Sequence, residues 1–157
     1  MIEFGNVAHG HAVAQAAGGK FSPDVASVIS RSERGVLLGG IVYEGYTGAS
    51  VCMHVASFAP LWVNRDLLWV SFDYPFTQMG CKLVLGEVAS TNPKALAFDL
   101  NLGFKLEATI RDAVPGGDLL ILTMRRDDCR WLKIKPRTLQ RGCSSVKTGR
   151  STAPRLQ

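Results

Sequence analysis

Few residues in this chain are of a type and spacing able to do chemistry. His54 lies in a run of β-type residues, on the opposite strand face from Met53 and Val55, and imidazole is the side chain that exchanges protons near neutral pH. One histidine without a visible partner has a plainer reading as a hydrogen-bonded structural residue. Glu44, beside Tyr43, ends an earlier β-type run, Glu87 lies in a later one, and Asp99 sits in a helical stretch. Each of these carboxylates is either an acid–base group or an ordinary surface residue. Tyr43, Tyr46 and Tyr74 are equally open, because aromatic residues at turns and element ends usually pack. Asn64 is of the type that caps helices and Arg65 follows it. A guanidinium would therefore stand in a first turn. Asn92 precedes Pro93 as a second cap. Cys52, Cys81, Cys129 and Cys143 form no C-x-x-C pair, and the histidines do not flank them at ligand spacing, so no metal site is readable.

The elements that must hold these residues follow from periodicity. A weak, alanine-rich helix spans Asn6 to Ala17. Alternation over Val25 to Arg31, Val36 to Tyr43 and Ser50 to Ser57, separated by turns at 32–35 and 45–48, predicts a three-stranded antiparallel meander. After Pro60 the period becomes helical. A long helix is expected from Asn64 to Met79, kinked at Pro75 and stopped by Gly80. Lys82 to Val88 reads as a strand buried on both faces. A helix from Asn92 to Gly103 follows, with Ala95, Leu96, Phe98 and Leu102 as its apolar stripe. Phe104 to Arg111 alternates, placing Phe104, Leu106, Ala108 and Ile110 inward, and Asp118 to Arg125 closes a hairpin across Pro115-Gly116-Gly117.

Composition sets the outer bounds. With 157 residues, 46% hydrophobic and 20% charged, the chain is one domain that can bury a core without staples. No run reaches the length that spans a bilayer, so no membrane association is expected. Nothing resembles a secretory leader, and a reducing, cytoplasmic setting follows, that of a host if the gene is viral. The net charge of +5 is uneven: from Arg125 onward ten Lys or Arg face only Asp127 and Asp128, a net of +8 that leaves −3 for the rest. Residues 1–131 are read as the folded domain and residues 132–157 as a basic tail without period. That tail is either a solubilising end or a contact for nucleic acid, although it has no aromatic residue for base stacking.

The order strand, kinked helix, strand, Asn-capped helix ending in Leu102-Gly103-Phe104, then hairpin resembles the GNAT superfamily of N-acetyltransferases, and short phage-encoded members in particular. Tyr74-Pro75-Phe76-Thr77-Gln78-Met79-Gly80 resembles the end of that family's long helix. Asn92 with Ala95 resembles its next helix, and Glu107 to Arg111 with Gly117 and Asp118 its last hairpin. The match covers roughly Ser50 to Met124. It implies an α+β fold, an α/β/α sandwich around a mixed, mostly antiparallel sheet whose middle strands splay, here Ser50 to Ser57 and Lys82 to Val88. It further implies acetyl-coenzyme A as cosubstrate and direct acetyl transfer to an amine. The pantetheine arm would use backbone groups near Val55, Ala56 and Ser57, and the pyrophosphate the helix start at Trp62, Asn64 and Arg65, with Asn92 as a further contact. His54 would be the base, directly or through water, and Glu44 would end a strand bordering the acceptor cleft.

Two departures stand out. The family's loop reads Arg or Gln, two residues, Gly, one residue, Gly or Ala, yet Trp62 and Asn64 occupy those small positions. Trp62 would either close the phosphate cradle or pack on adenine or acceptor. Many members also carry Tyr three residues before Leu-Gly-Phe to protonate the thiolate, where this chain has Asp99. A carboxylate donates at neutral pH only if burial raises its pKa, and otherwise Asp99 is a solvated helix residue. The alternative function is therefore a GNAT-shaped binding protein without catalysis that docks on a partner, a host protein if the gene is viral. A homodimer is compatible with either function.

Overall fold

The computed structural model describes residues 1–139. Its strands are β1 (Ile2–Phe4), β2 (Ser27–Glu33), β3 (Val36–Glu44), β4 (Ser50–Ser57), β5 (Leu83–Ala89), β6 (Lys105–Val114) and β7 (Gly117–Arg125). Its α-helices are α1 (Val7–Ala16), α2 (Arg65–Asp73) and α3 (Pro93–Leu102). The seven strands form one sheet in the order β1-β2-β3-β4-β5-β7-β6, antiparallel throughout except for β4 beside β5. Helix α1 packs Val13 and Ala14 on Val28, Val42 and Ala56 of one face, while α2 and α3 cover Ile41, Met53, Val84 and Leu122 on the other. This is the expected α+β sandwich of helices about a mostly antiparallel sheet.

Local chemistry explains the helix limits. Asn6 Oδ1 accepts from His9 N at 3.2 Å, Asn64 Oδ1 from Leu67 N at 2.8 Å, and Asn92 Oδ1 from Ala95 N at 3.1 Å, so each asparagine satisfies one of the free N–H groups of a first turn. Gly103, at φ 109°, ends α3 in the left-handed region that glycine enters freely. The long helix predicted to Met79 is α-helical only to Asp73 and continues as a π-helical turn, Tyr74–Gln78. Pro75 has no N–H to offer the carbonyl of Ser71. That carbonyl instead accepts from the buried Tyr43 hydroxyl at 2.9 Å. Tyr43 is therefore a core residue that repairs the proline break, and does not border a cleft.

Two expectations are corrected. Along β6 the inward set fails: Phe104 is buried, but Leu106 and Ile110 are half exposed and Ala108 is exposed. The strand is the sheet's outer edge, and two register shifts interrupt its pairing with β7, so alternation there does not coincide with a covered face. The packing also runs past residue 131. Leu132, Ile134 and Leu139 lie against the main core. Asp66 accepts from Thr138 N at 3.0 Å, as well as from Arg137 N and Thr138 Oγ. Composition drew the boundary at 132 because Lys133, Lys135 and Arg137 alternate with the apolar Ile134 and Pro136, a pattern too short to read as structure. The rest of the basic tail, 140–157, lies outside the described residues. Among those described, no helix is long and apolar enough to cross a membrane.

Candidate active site

β4 and β5 share only three register pairs, Ser50 with Leu83, Val51 with Val84 and Cys52 with Leu85. Beyond them β4 continues to Ser57 and β5 to Ala89 without further pairing. Phase fixes what the separation exposes. Phe58 N donates to Leu38 O in register with the β3–β4 ladder, so the backbone groups of His54 and Ala56 point to β3 and those of Met53, Val55 and Ser57 point away from it. Ser90 N donates to Asp118 O in register with β7, which turns the backbone of Glu87 and Ala89 toward β4. Val55 and Ser57 on one side, and Glu87 and Ala89 on the other, thus present N–H and C=O groups into the opening with no strand to receive them. Ala56, expected among these, has its backbone turned to β3.

The opening is a cavity of about 550 Å³ that passes between the parted strands. On the α1 face it is lined by Ala16, Ala17, His54 and Glu87, and on the α2–α3 face by Trp62, Lys94, Phe98, Asp99 and Phe104, with Asn92 at its edge. His54 Nε2 lies 2.7 Å from Glu44 Oε1, although ring and carboxylate are not aligned for a hydrogen bond and Nε2 has no other partner. The pair is a cross-strand diagonal: Val42 faces His54 and Glu44 faces Cys52 in the β3–β4 register. Cys52 stands on the same face, its thiol pushed up to about 12 by burial and then by the Glu87 and Glu44 carboxylates.

Asp99 approaches the sheet over Gly86, where its Oδ2 is 3.6 Å from the position a Cβ would take. It is no solvated helix residue: burial pushes its carboxyl up to about 6, and no described residue hydrogen-bonds its side chain. Trp62 neither fills the cavity nor leaves it fully open. Its ring rests on the bare backbone of Gly39, 2.4 Å from where a Cβ would be. It also meets Phe98 with centroids 5.9 Å apart. Arg31 holds this loop by donating to the carbonyls of Leu61 and Trp62, both at 2.7 Å. Asn64 and Arg65 do not line the cavity. Asn64 caps α2, and Arg65 Nε donates to Lys135 O at 2.6 Å. Lys94, Gly86 and the Asp66 anchor were missed by sequence reasoning; only Lys94, in the first turn of a capped helix, carried a usable signal. Among the described residues no group of three or more His, Cys, Asp or Glu is placed to hold a metal ion.

No family model matches the sequence, and no curated protein matches it. Solved structures do match. The structure of yncA from Salmonella typhimurium with its cofactor acetyl-CoA is 17% identical, with 88% of this chain and 98% of that one covered and a TM-score of 0.62. A point mutant of the spermidine N-acetyltransferase SpeG from Vibrio cholerae is 16% identical over 81% and 94%, with a TM-score of 0.61. A GNAT-family structure from Desulfovibrio desulfuricans is 16% identical over 80% and 99%, also with a TM-score of 0.61. At these identities the likeness shows the fold, which is that of the GNAT acetyltransferases.

Proposed function

We propose that this chain is an acetyl-CoA-dependent N-acetyltransferase that passes the acetyl group directly to an amine. The observation that carries the reading is the parting of β4 and β5 after Cys52 and Leu85, which opens a through-going slot with acid–base groups on both faces. Acetyl-CoA would supply the acetyl group as an activated thioester. Val55 and Ser57, with Glu87 and Ala89 opposite, fit an extended amide-bearing arm as an added strand. Val55 N–H can also donate to charge developing on the acyl oxygen. His54 takes the proton of an incoming amine on the α1 face, where the Glu44 carboxylate lies 2.7 Å from its Nε2. Glu44 and Glu87 on that face favour a cationic acceptor, and spermidine, named for the Vibrio relative in fold, is of that kind. Asp99, whose carboxyl is held up near 6 by burial, can return a proton to the departing sulfur from the other face.

Direct transfer, rather than an acyl-cysteine, fits the thiols. Cys52 at about 12 holds almost no thiolate near neutral pH, and burial also pushes up Cys81 and Cys129. The catalytically silent docking protein would be favoured by strands zipped along their length with Trp62 in the gap, and neither is observed.

Thermal unfolding with and without acetyl-CoA tests the reading. At about a hundred times its dissociation constant the ligand adds about 2.7 kcal/mol, a rise of several degrees in midpoint. His54→Gln should then lower kcat by about 10²-fold or more while keeping that shift. No shift at millimolar acetyl-CoA would exclude the enzyme.

A further inference from the structure

The slot carries charged side chains on both faces. Glu87 lines the α1 side, with Glu44 on the same sheet face outside the lining, whereas the α2–α3 side carries Lys94, in the first turn of α3, together with Asp99. A second group of cations gathers at the start of α2, three residues beyond Trp62, and comes from the far end of the chain. After β7 the polypeptide ties to the C-terminus of α3, where Trp131 Nε1 donates to Leu102 O at 2.8 Å and Arg130 to Asn101 O at 2.6 Å. It then runs to the N-terminus of α2. There Arg65 Nε holds Lys135 O, and the Asp66 carboxylate holds the backbone of Arg137 and Thr138. Arg65, Lys135 and Arg137 are all exposed, and the one acidic side chain in this first turn, Asp66, is buried and already committed to three donors.

Resting on the acetyltransferase reading, we propose that this C-terminal strap supplies the phosphate-binding cations: Lys135 and Arg137, beside Arg65 on α2 and Lys94 on α3, take the phosphates of the nucleotide end of acetyl-CoA. Trp62 occupies the loop where a phosphate would otherwise approach bare backbone, its ring filling the space over Gly39. Charge brought by side chains replaces contact brought by main-chain N–H groups, and cations on flexible stems reach past a bulky ring where a peptide cannot. The strap cations draw the polyanionic end of the ligand to the start of α2, while Glu87 on the α1 side favours the amine there.

The test compares two thioesters that share the acetyl-pantetheine arm and differ in phosphate. Binding of acetyl-CoA and of S-acetylpantetheine is measured by calorimetry on the full chain, in wild type and in Lys135→Ala/Arg137→Ala. Lys135 and Arg137 hydrogen-bond Arg65 and Asp66 through backbone atoms, and Thr138 keeps both its bonds to Asp66, so the double variant keeps those hydrogen bonds and loses only the Arg137 charge beside Asp66. We expect it to weaken acetyl-CoA about tenfold to a hundredfold, to flatten the salt dependence, and to leave S-acetylpantetheine unchanged. Three outcomes overturn the proposal: equal loss for both thioesters, which makes the strap structural; no loss for acetyl-CoA, which leaves the cations merely solvated; or tighter binding of a single-stranded oligonucleotide that the same variant abolishes. Absence of acetyl-CoA binding by wild type overturns this proposal and the acetyltransferase reading together, whereas the first two outcomes leave that reading standing.

Discussion

Asp66 and Asp99 sit on the two helices that cover the same sheet face, Asp66 buried and Asp99 partly buried in the cavity wall, and their carboxyls are shifted in opposite directions. Burial pushes Asp66 up, but the donors from Thr138 and Arg137, helped by the Arg137 charge, outweigh it and hold its carboxyl below the usual range. Asp99 meets burial alone and rises to about 6. Desolvation is common to both, so the difference lies in whether donors surround the charged form. A fully bonded carboxylate is a fastener, while an unpartnered one in a cavity is an energetic liability that persists where function uses it.

Replacing each in turn should separate the roles. Asp99→Asn keeps the shape and removes the proton, so acetyl transfer should slow by about 10²-fold. Stability at pH 7 should rise, by about 1–2 kcal/mol once partial exposure is allowed for. Steady-state kinetics beside urea unfolding would read both, and a variant as active as wild type removes Asp99 from the chemistry. Asp66→Ala should do the reverse, costing about 1.5–3 kcal/mol through lost charge-assisted hydrogen bonds while slowing turnover only as far as acetyl-CoA binding weakens. Urea unfolding at pH 7 measures it, and an unchanged midpoint would mean that the strap is not held there.

The opposite shifts also predict opposite pH slopes. Well below about pH 4 both side chains are protonated in the unfolded chain. As pH rises from about 4 to about 6, native Asp99 keeps a proton that the unfolded chain has released, so its contribution to stability falls across that window. Asp66 is lowered, so its contribution is present above about 4 and is lost as pH drops toward its folded value. Difference curves against Asp99→Asn and Asp66→Asn, from about pH 3 to about pH 7, should slope in opposite senses. Parallel curves would show that the donors to Asp66 do not act.

What could be read from the sequence divides along the same line. The asparagine caps at Asn64 and Asn92, the meander and the glycine stop of α3 are local patterns, and each was legible; the β4–β5 neighbourhood came only through the family resemblance. His54 and Glu44 were legible as types, but their pairing depends on a cross-strand diagonal that only the register supplies. Asp99 is visible as a carboxylate, yet its burial comes from the bare backbone of Gly86 and from Phe104 beyond the helix turn, which no local pattern shows. Asp66 carried no signal at all, since its partners lie 71 and 72 residues away. Contacts of that separation leave no period in the chain, which is also why composition ended the domain too early.

Cys52 offers the smallest effect and the sharpest check on burial as the cause. Like Asp99 it is an acid raised mainly by loss of water, with the Glu87 and Glu44 charges adding to it, and its thiol rises from 9.0 to about 12. The thiolate at about pH 8 is then roughly a thousandfold scarcer than for an unperturbed thiol. Site-resolved mass spectrometry after iodoacetamide treatment should find Cys52 unmodified in the folded chain and labelled in urea. Glu87→Gln removes one like charge without opening the core, so labelling should stay slow if desolvation leads and should quicken sharply if the carboxylates do. Fast labelling in the wild-type fold would break the account for Cys52 and leave Asp99, on the opposite sheet face, to its own test.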